Sequence, residues 1–135
     1  MRILIVDDYE PWRRYVRSIL EADADLVILG ESADGLDAIK QSEELQPGLI
    51  LLDIQLPSMN GLEVARQIGV VSPDTQVLFL SSTQSVEVMR EALKFGAGFV
   101  MKSDAEQDLL PIVRAICRNE PFVRFRFLDE HTRES

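Results

Sequence analysis

Three carboxylates, one hydroxyl and one primary amine stand at the ends of short apolar runs in this chain, and together they are equipped for phosphorus chemistry. Asp7 and Asp8 follow Ile3-Leu4-Ile5-Val6, and Asp53 follows Leu49-Ile50-Leu51-Leu52. Ser81 follows Val77-Leu78-Phe79-Leu80, and Lys102 follows Phe99-Val100-Met101. Acids crowded into one small site raise each other's pKa unless a cation sits among them. A hard divalent ion, Mg²⁺ with Mn²⁺ as a substitute, accepts carboxylates, a carbonyl oxygen and waters. An Asp held beside such an ion can attack phosphorus and form an aspartyl-phosphate. That transfer needs positioning and charge neutralisation more than proton chemistry. In such a scheme Lys102 supplies a point charge for phosphoryl oxygens, and Ser81 supplies a donor hydroxyl.

The elements that must position these groups are legible as alternating apolar and amphipathic segments. Runs rich in Val, Ile, Leu and Phe, separated by helix-length stretches, predict buried strands of a parallel sheet. In such sheets ligands sit beyond the carboxyl ends of the strands, where the strand order reverses. Glu10-Pro11 opens a first helix whose apolar face is Trp12, Tyr15, Val16, Ile19 and Leu20. Residues 26–30 read as a second strand. Leu36, Ile39 and Leu45 mark a helical stripe that stops at Gln46-Pro47-Gly48. After the loop 54–61 a helix is expected over about 62–70. Val86, Met89, Ala92 and Leu93 mark a short helix, with Gly96 as its C-terminal stop. Ser103-Asp104-Ala105-Glu106 has the form of a capping box before a last helix carrying Leu109, Ile112, Val113 and Ile116. Pro111 inside that helix predicts a bend or a later start. The sum is five βα units in one domain, a size that 135 residues accommodate.

Bulk properties narrow the function. A net charge of -9 disfavours unaided nucleic-acid binding and anionic membrane surfaces. No apolar stretch reaches the roughly 18–20 residues that span a bilayer, and the N-terminus lacks the form of a signal peptide. The single cysteine, Cys117, rules out an internal disulfide, reads as a buried structural thiol, and fits a reducing cytoplasm. His131, the only histidine, lies in a charged tail, which disfavours Ser-His catalysis and His-rich metal sites.

Five pieces in order and spacing carry a resemblance: Val6-Asp7-Asp8; Leu51-Leu52-Asp53-Ile54; Leu56-Pro57 with Asn60-Gly61-Leu62-Glu63; Leu80-Ser81-Ser82; and the run from Gly96 to Lys102. From Met1 to about Arg118 the chain resembles the CheY-like receiver domain of two-component response regulators. The resemblance implies a flavodoxin-like (βα)5 three-layer α/β sandwich with parallel sheet order 2-1-3-4-5. It implies Asp53 as phosphoacceptor, Asp8 binding Mg²⁺ directly, Asp7 mainly through water, and Gln55 offering its backbone carbonyl. Lys102 would pair with the phosphoryl group, Ser81 would swing toward it, and Phe99 would turn inward as the switch aromatic. The phosphodonor would be a sensor histidine kinase or phosphotransfer protein. The surface around residues 81–117 would then change for partner binding or homodimerisation, making the chain a cytoplasmic signalling switch, not a turnover enzyme.

Taken singly, Asp7 or Asp8 could merely cap a helix, Ser81 be a loop hydroxyl, Lys102 a surface charge and Phe99 simple core. The ensemble carries the reading. Its departures are small: Ser81 stands where threonine is also common, Gly48 replaces a frequent acid, and Gln55 and Ser82 flank the acceptor where the family varies. A haloacid-dehalogenase-type phosphatase normally has a second Asp where this chain has Gln55. A flavodoxin-like flavin carrier would need a phosphate-binding loop where Asp7 and Asp8 stand. A phosphorylation-independent pseudo-receiver is the remaining alternative. Beyond a receiver domain over 1–118, residues 119–135 read as an extra strand, an interface arm or a linker stub. Phe122-Val123 there resembles receivers of the helix-turn-helix (NarL/LuxR-like) class that continue into a DNA-binding domain.

Overall fold

Each apolar run forms a strand and each amphipathic segment a helix in the computed structural model, which describes residues 1–96 and 98–120. In chain order these are β1 (Arg2–Val6), α1 (Glu10–Leu20), β2 (Val27–Ser32), α2 (Gly35–Leu45), β3 (Leu49–Asp53) and α3 (Gly61–Val71). There follow β4 (Gln76–Ser81), α4 (Val86–Phe95), β5 (Gly98–Met101), a 3₁₀ turn (Lys102–Asp104) and α5 (Ala105–Cys117). The five strands pair in parallel in the order β2-β1-β3-β4-β5, the flavodoxin-like arrangement that the resemblance implied.

Side chains alternate across a strand, and here the alternation feeds two cores. Ile3, Ile5, Leu49, Leu51, Leu78 and Leu80 pack against α1 and α5 through Val16, Leu20, Leu109 and Val113. Leu4, Val6, Ile50, Leu52 and Phe79 pack against α2, α3 and α4 through Ala38, Val64, Ile68 and Met89. Helices on both faces explain why β3 is buried along its full length. The order reverses at β1, which passes β2 on one side and β3 on the other. Val6 and Leu52 are in register, so Asp7 and Asp53 leave neighbouring strands side by side.

Several local expectations are corrected. β2 runs to Ser32 because it is an edge strand held by pairing to β1 as much as by burial, with a register shift between Ile3 and Leu4. Leu36 is 63% exposed, and α2 instead buries Gly35, Ala38 and Ser42. Small residues are required there because α2 lies close to α3: a Cβ on Gly35 would sit 2.6 Å from Val64 Cγ2. Gly96 does follow the last residue of α4, but its backbone is extended, not left-handed. A Cβ there would come 2.8 Å from the Val77 carbonyl oxygen and 2.9 Å from the Phe79 ring, so close approach demands the glycine. The capping box does not form; Asp104 at the N-cap position makes no side-chain cap bond, and a 3₁₀ turn leads into α5. That helix continues through Pro111. Cys117, expected to be buried, is exposed in the last turn of α5, because α5 turns Ile112, Val113 and Ile116 inward and leaves position 117 on its outer side. The readings of the tail fall mostly on 121–135, outside the described residues.

Ser42 Oγ is buried with no hydrogen-bond partner among the described residues. A buried unpaired hydroxyl loses its hydration and gains nothing in return. Ser42→Ala is therefore expected to stabilise the fold by about 1 kcal/mol, read as a rise of a few degrees in the thermal midpoint.

Candidate functional site

The turn after β1 is fixed by more bonds than its length would suggest. Asp7 donates its backbone N–H to the Ser32 carbonyl at 3.0 Å, and its Oδ1 accepts from the Tyr9 N–H at 2.9 Å. Arg13 Nη1 donates to the Asp7 carbonyl at 2.6 Å. Glu31 on β2 in turn receives Arg13 Nε and Arg17 Nε, each at 3.0 Å. Neither Arg13 nor Glu31 was singled out by sequence reasoning; the available signal was an arginine one helical turn into α1, on the side facing an acid at the end of β2.

This turn brings the acids together as anticipated. One carboxylate oxygen each from Asp7, Asp8 and Asp53 lies within 4.8 Å of the others. Asp7 is 2% and Asp53 5% exposed, whereas Asp8 faces solvent. From the other end of the sheet Lys102 reaches in, its Nζ 2.6 Å from Asp7 Oδ2 and 3.4 Å from Asp53 Oδ2. The same ammonium lies 5.1 Å from the centroid of the Trp12 ring, a partner that the helical spacing of Trp12 assigned only to the core face of α1.

Burial pushes the Asp53 carboxyl above the ordinary carboxylate range, opposed by Lys102 and by the Gln55 N–H, with the Asp7 charge adding to the rise. That N–H donates to Asp53 Oδ1 at 3.2 Å. Three carboxylates against one ammonium leave two negative charges. The donors are all oxygen, and a divalent hard cation matches both the charge and the ligand type. The residues present therefore fit Mg²⁺.

The loop after Asp53 closes back on itself. Gln55 and Asn60 form an isolated antiparallel bridge, and the Gly61 N–H donates to the Ile54 carbonyl at 2.7 Å. Asn60 Oδ1 caps α3 by accepting from the Leu62 N–H at 2.7 Å. Gly61 has no room for a side chain: a Cβ would collide with the Asp53 carbonyl oxygen and lie 2.6 Å from Ile54 Cα. Because those neighbours are backbone, they cannot rotate away. Gly61→Ala is expected to cost about 2 kcal/mol in chemical denaturation and to displace Asp53 from the acid cluster, visible as lost protection of the Gln55 amide in hydrogen exchange.

Ser81, the last residue of β4, is fully buried. Its Oγ accepts from the Thr83 N–H at 3.2 Å, Thr83 Oγ1 accepts from the Ser85 N–H at 3.2 Å, and Ser85 Oγ accepts from the Val88 N–H at 3.3 Å. Thr83 and Ser85 were seen in the sequence only as polar loop. Phe99 pairs in register with Phe79 and is 1% exposed in the core beneath α4, among Met89, Ala92 and Leu93. The aromatic ring is thus already inward, in the core and not in the acid cluster.

Comparison with known proteins agrees with this arrangement. A family model described as the response regulator receiver domain matches residues 3–114. The chain is 34% identical over 121 residues to the response regulator protein VraR of Staphylococcus aureus, covering 89% of this chain and 58% of VraR. It is 30% identical over 125 residues to the transcriptional regulatory protein YxjL of Bacillus subtilis, covering 92% of this chain and 57% of YxjL. It therefore spans less than two thirds of the length of these curated relatives. Among solved structures it is similar to a LuxR-family two-component response regulator from an Aurantimonas species, with a TM-score of 0.83, 26% identity, and coverage of 87% of this chain and 85% of that one. The receiver domain of NarL from Mycobacterium tuberculosis gives a TM-score of 0.80 and 27% identity, covering 87% of this chain and 95% of that one. With the family model spanning most of its length and the acid cluster in place, this chain belongs to the response regulator receiver domains of two-component systems.

Proposed function

We propose that Asp53 accepts a phosphoryl group from a sensor histidine kinase or phosphotransfer protein. A carboxylate oxygen of Asp53 attacks phosphorus as the bond from phosphorus to the donor imidazole nitrogen breaks, and the departing imidazole retains the electron pair and takes up a proton. The observation that carries this reading is the cluster itself: Asp53 is 3.4 Å from Lys102 and within 4.8 Å of the Asp7 and Asp8 carboxylates. Asp8, Asp53 and the Gln55 backbone carbonyl would hold Mg²⁺ directly, and Asp7 mainly through water. Mg²⁺, or Mn²⁺ in its place, supplies positive charge against the phosphoryl oxygens. Lys102 pairs with one of those oxygens, and the Ser81 hydroxyl donates to another. Asp53 is consumed once per signal, so the chain is a switch and not a turnover enzyme.

The receiver unit is read as residues 1–118, with 119–135 a tail toward an output. Two relatives carry names of regulators and are longer than this chain, which supports reading it as the receiver portion of a cytoplasmic transcription regulator. With a net charge of -9, this segment signals through protein contacts and not by holding DNA. The surface around 81–117, linked to Ser81 through α4, is the one proposed to change, for a partner or a second copy. Phe99, already enclosed, would act in that change from an inward starting position.

Intact-mass measurement after incubation with acetyl phosphate and Mg²⁺ tests the proposal. One added phosphoryl group is expected, with acetate leaving as its bond from oxygen to phosphorus breaks, and chelation of the metal should prevent the gain. No gain with metal present would sink this reading and leave the pseudo-receiver.

A further inference from the structure

Lys102 opens the 3₁₀ turn that follows the edge strand β5, yet its ammonium rests on Asp7 just past the end of β1, three strands away in the sheet. A lysine has four rotatable bonds and gives up much of its rotamer freedom when held in one place. Something must narrow its choices. Asp7 and Asp53 hold it by charge, at 2.6 and 3.4 Å. On the α1 side stands the Trp12 ring, with its centroid 5.1 Å from Nζ. The indole is itself braced, its ring 5.4 Å from that of Tyr15, and it packs on the core formed with α5.

We infer that Trp12 is a positioning residue for Lys102 in the phosphoryl transfer, an inference that rests on the function proposed above. An aromatic face attracts a cation without competing as a base or adding charge. It is also non-directional. The ammonium can therefore leave Asp7 for an incoming phosphoryl oxygen while staying in contact with the same ring. A carboxylate in place of the indole would hold the lysine back, and an aliphatic side chain would offer the ammonium no attraction.

The tests use the whole chain, with circular dichroism and thermal midpoints confirming that each variant is folded. Trp12→Leu is expected to lower the initial rate of phosphorylation by acetyl phosphate roughly threefold to tenfold, and Trp12→Phe to stay within about twofold of the parent. In a Lys102→Met background Trp12→Leu should cause no further loss, because a residue acting through Lys102 has nothing left to act on. A purely structural role would give the same loss in both backgrounds. Trp12 is the only tryptophan, so its fluorescence offers a second readout in the parent sequence. Adding beryllofluoride with Mg²⁺ should change the indole emission as Lys102 shifts, and Lys102→Met should lack that change. Equal rates for Trp12→Leu and the parent, or an additive loss in the Lys102→Met background, overturns the inference. If Trp12→Leu does not fold, an indole emission indifferent to beryllofluoride does so instead. A parent chain that gains no phosphoryl mass at all sinks the proposed function itself, which separates the two failures.

Discussion

Asp53→Asn is expected to abolish phosphoryl uptake and, in the same molecule, to raise stability at neutral pH. The first effect removes the nucleophile: an amide oxygen is not a carboxylate and forms no stable acyl-phosphate, so intact mass should show no adduct under conditions that label the parent. The second effect follows from burial. Asp53 is 5% exposed, and desolvation lifts its pKa above the usual value while Asp7 adds to the rise. Ionised, it is an uncomfortable neighbour for Asp7; as Asn, it is neutral. Lys102 does not lose its anchor, since its shorter contact is to Asp7 at 2.6 Å. The gain should be about 1–2 kcal/mol, the size commonly found when a functional site is relieved of its strain.

The pH dependence of that gain has a definite sign. The folded carboxyl keeps its proton to higher pH than the unfolded one. Its stabilising effect is complete below the unfolded pKa of about 4 and is lost as pH rises through the raised folded value. The midpoint difference between Asp53→Asn and the parent, measured in metal-free buffer, should therefore be smallest in acid, widen through the weakly acidic range and level off above it. A difference that narrows with rising pH would contradict the raised value.

Lys102→Met should produce the largest loss of stability. Methionine keeps most of the side-chain length and apolar volume but removes the charge between two nearly buried carboxylates. Lys102 is itself only 19% exposed at its side chain, so solvent does little to screen the pair. Breaking such a pair by deleting one partner costs about 3 kcal/mol or more, because the other charge stays buried. Phosphorylation should slow by roughly a hundredfold, the scale of losing one group that stabilises developing negative charge. Urea denaturation reads the first effect and the acetyl phosphate rate the second. In an Asp53→Asn background the stability loss should shrink, since only Asp7 is then stranded.

Most of the fold was legible because four of the strands are continuous apolar runs buried between helices, where hydrophobicity and structure coincide. β2 was the least accurately bounded for the complementary reason: as an edge strand it ends in Glu31 and Ser32, and hydrogen bonding to β1 carries it past its apolar residues. In α2, Leu36 looked like core, yet close packing against α3 selects the small faces of Gly35 and Ala38 and leaves the leucine outside. Cys117 was misread because one residue's rotation on a helix depends on neighbours that local composition does not reveal. At the site, Asp7, Asp8, Asp53 and Lys102 were legible from their positions at strand ends, since topology alone gathers such positions. Arg13, Glu31 and Trp12 were not, because their contacts depend on side-chain reach between elements.

The three successive hydroxyl acceptors that begin at the last residue of β4 carry a mechanical consequence. Ser81 Oγ accepts from the Thr83 amide, so its own hydrogen is not used in that bond. A shift of the Ser81 hydroxyl by an ångström would have to carry residue 83 with it or break the first link. Dragging pulls on the second link at Ser85, which is also the clasp on the opening turn of α4. Residues 81 to 88 are thus joined by three consecutive side-chain links, so a shift of one buried hydroxyl would pass by way of residues 83 and 85 to the opening turn of α4.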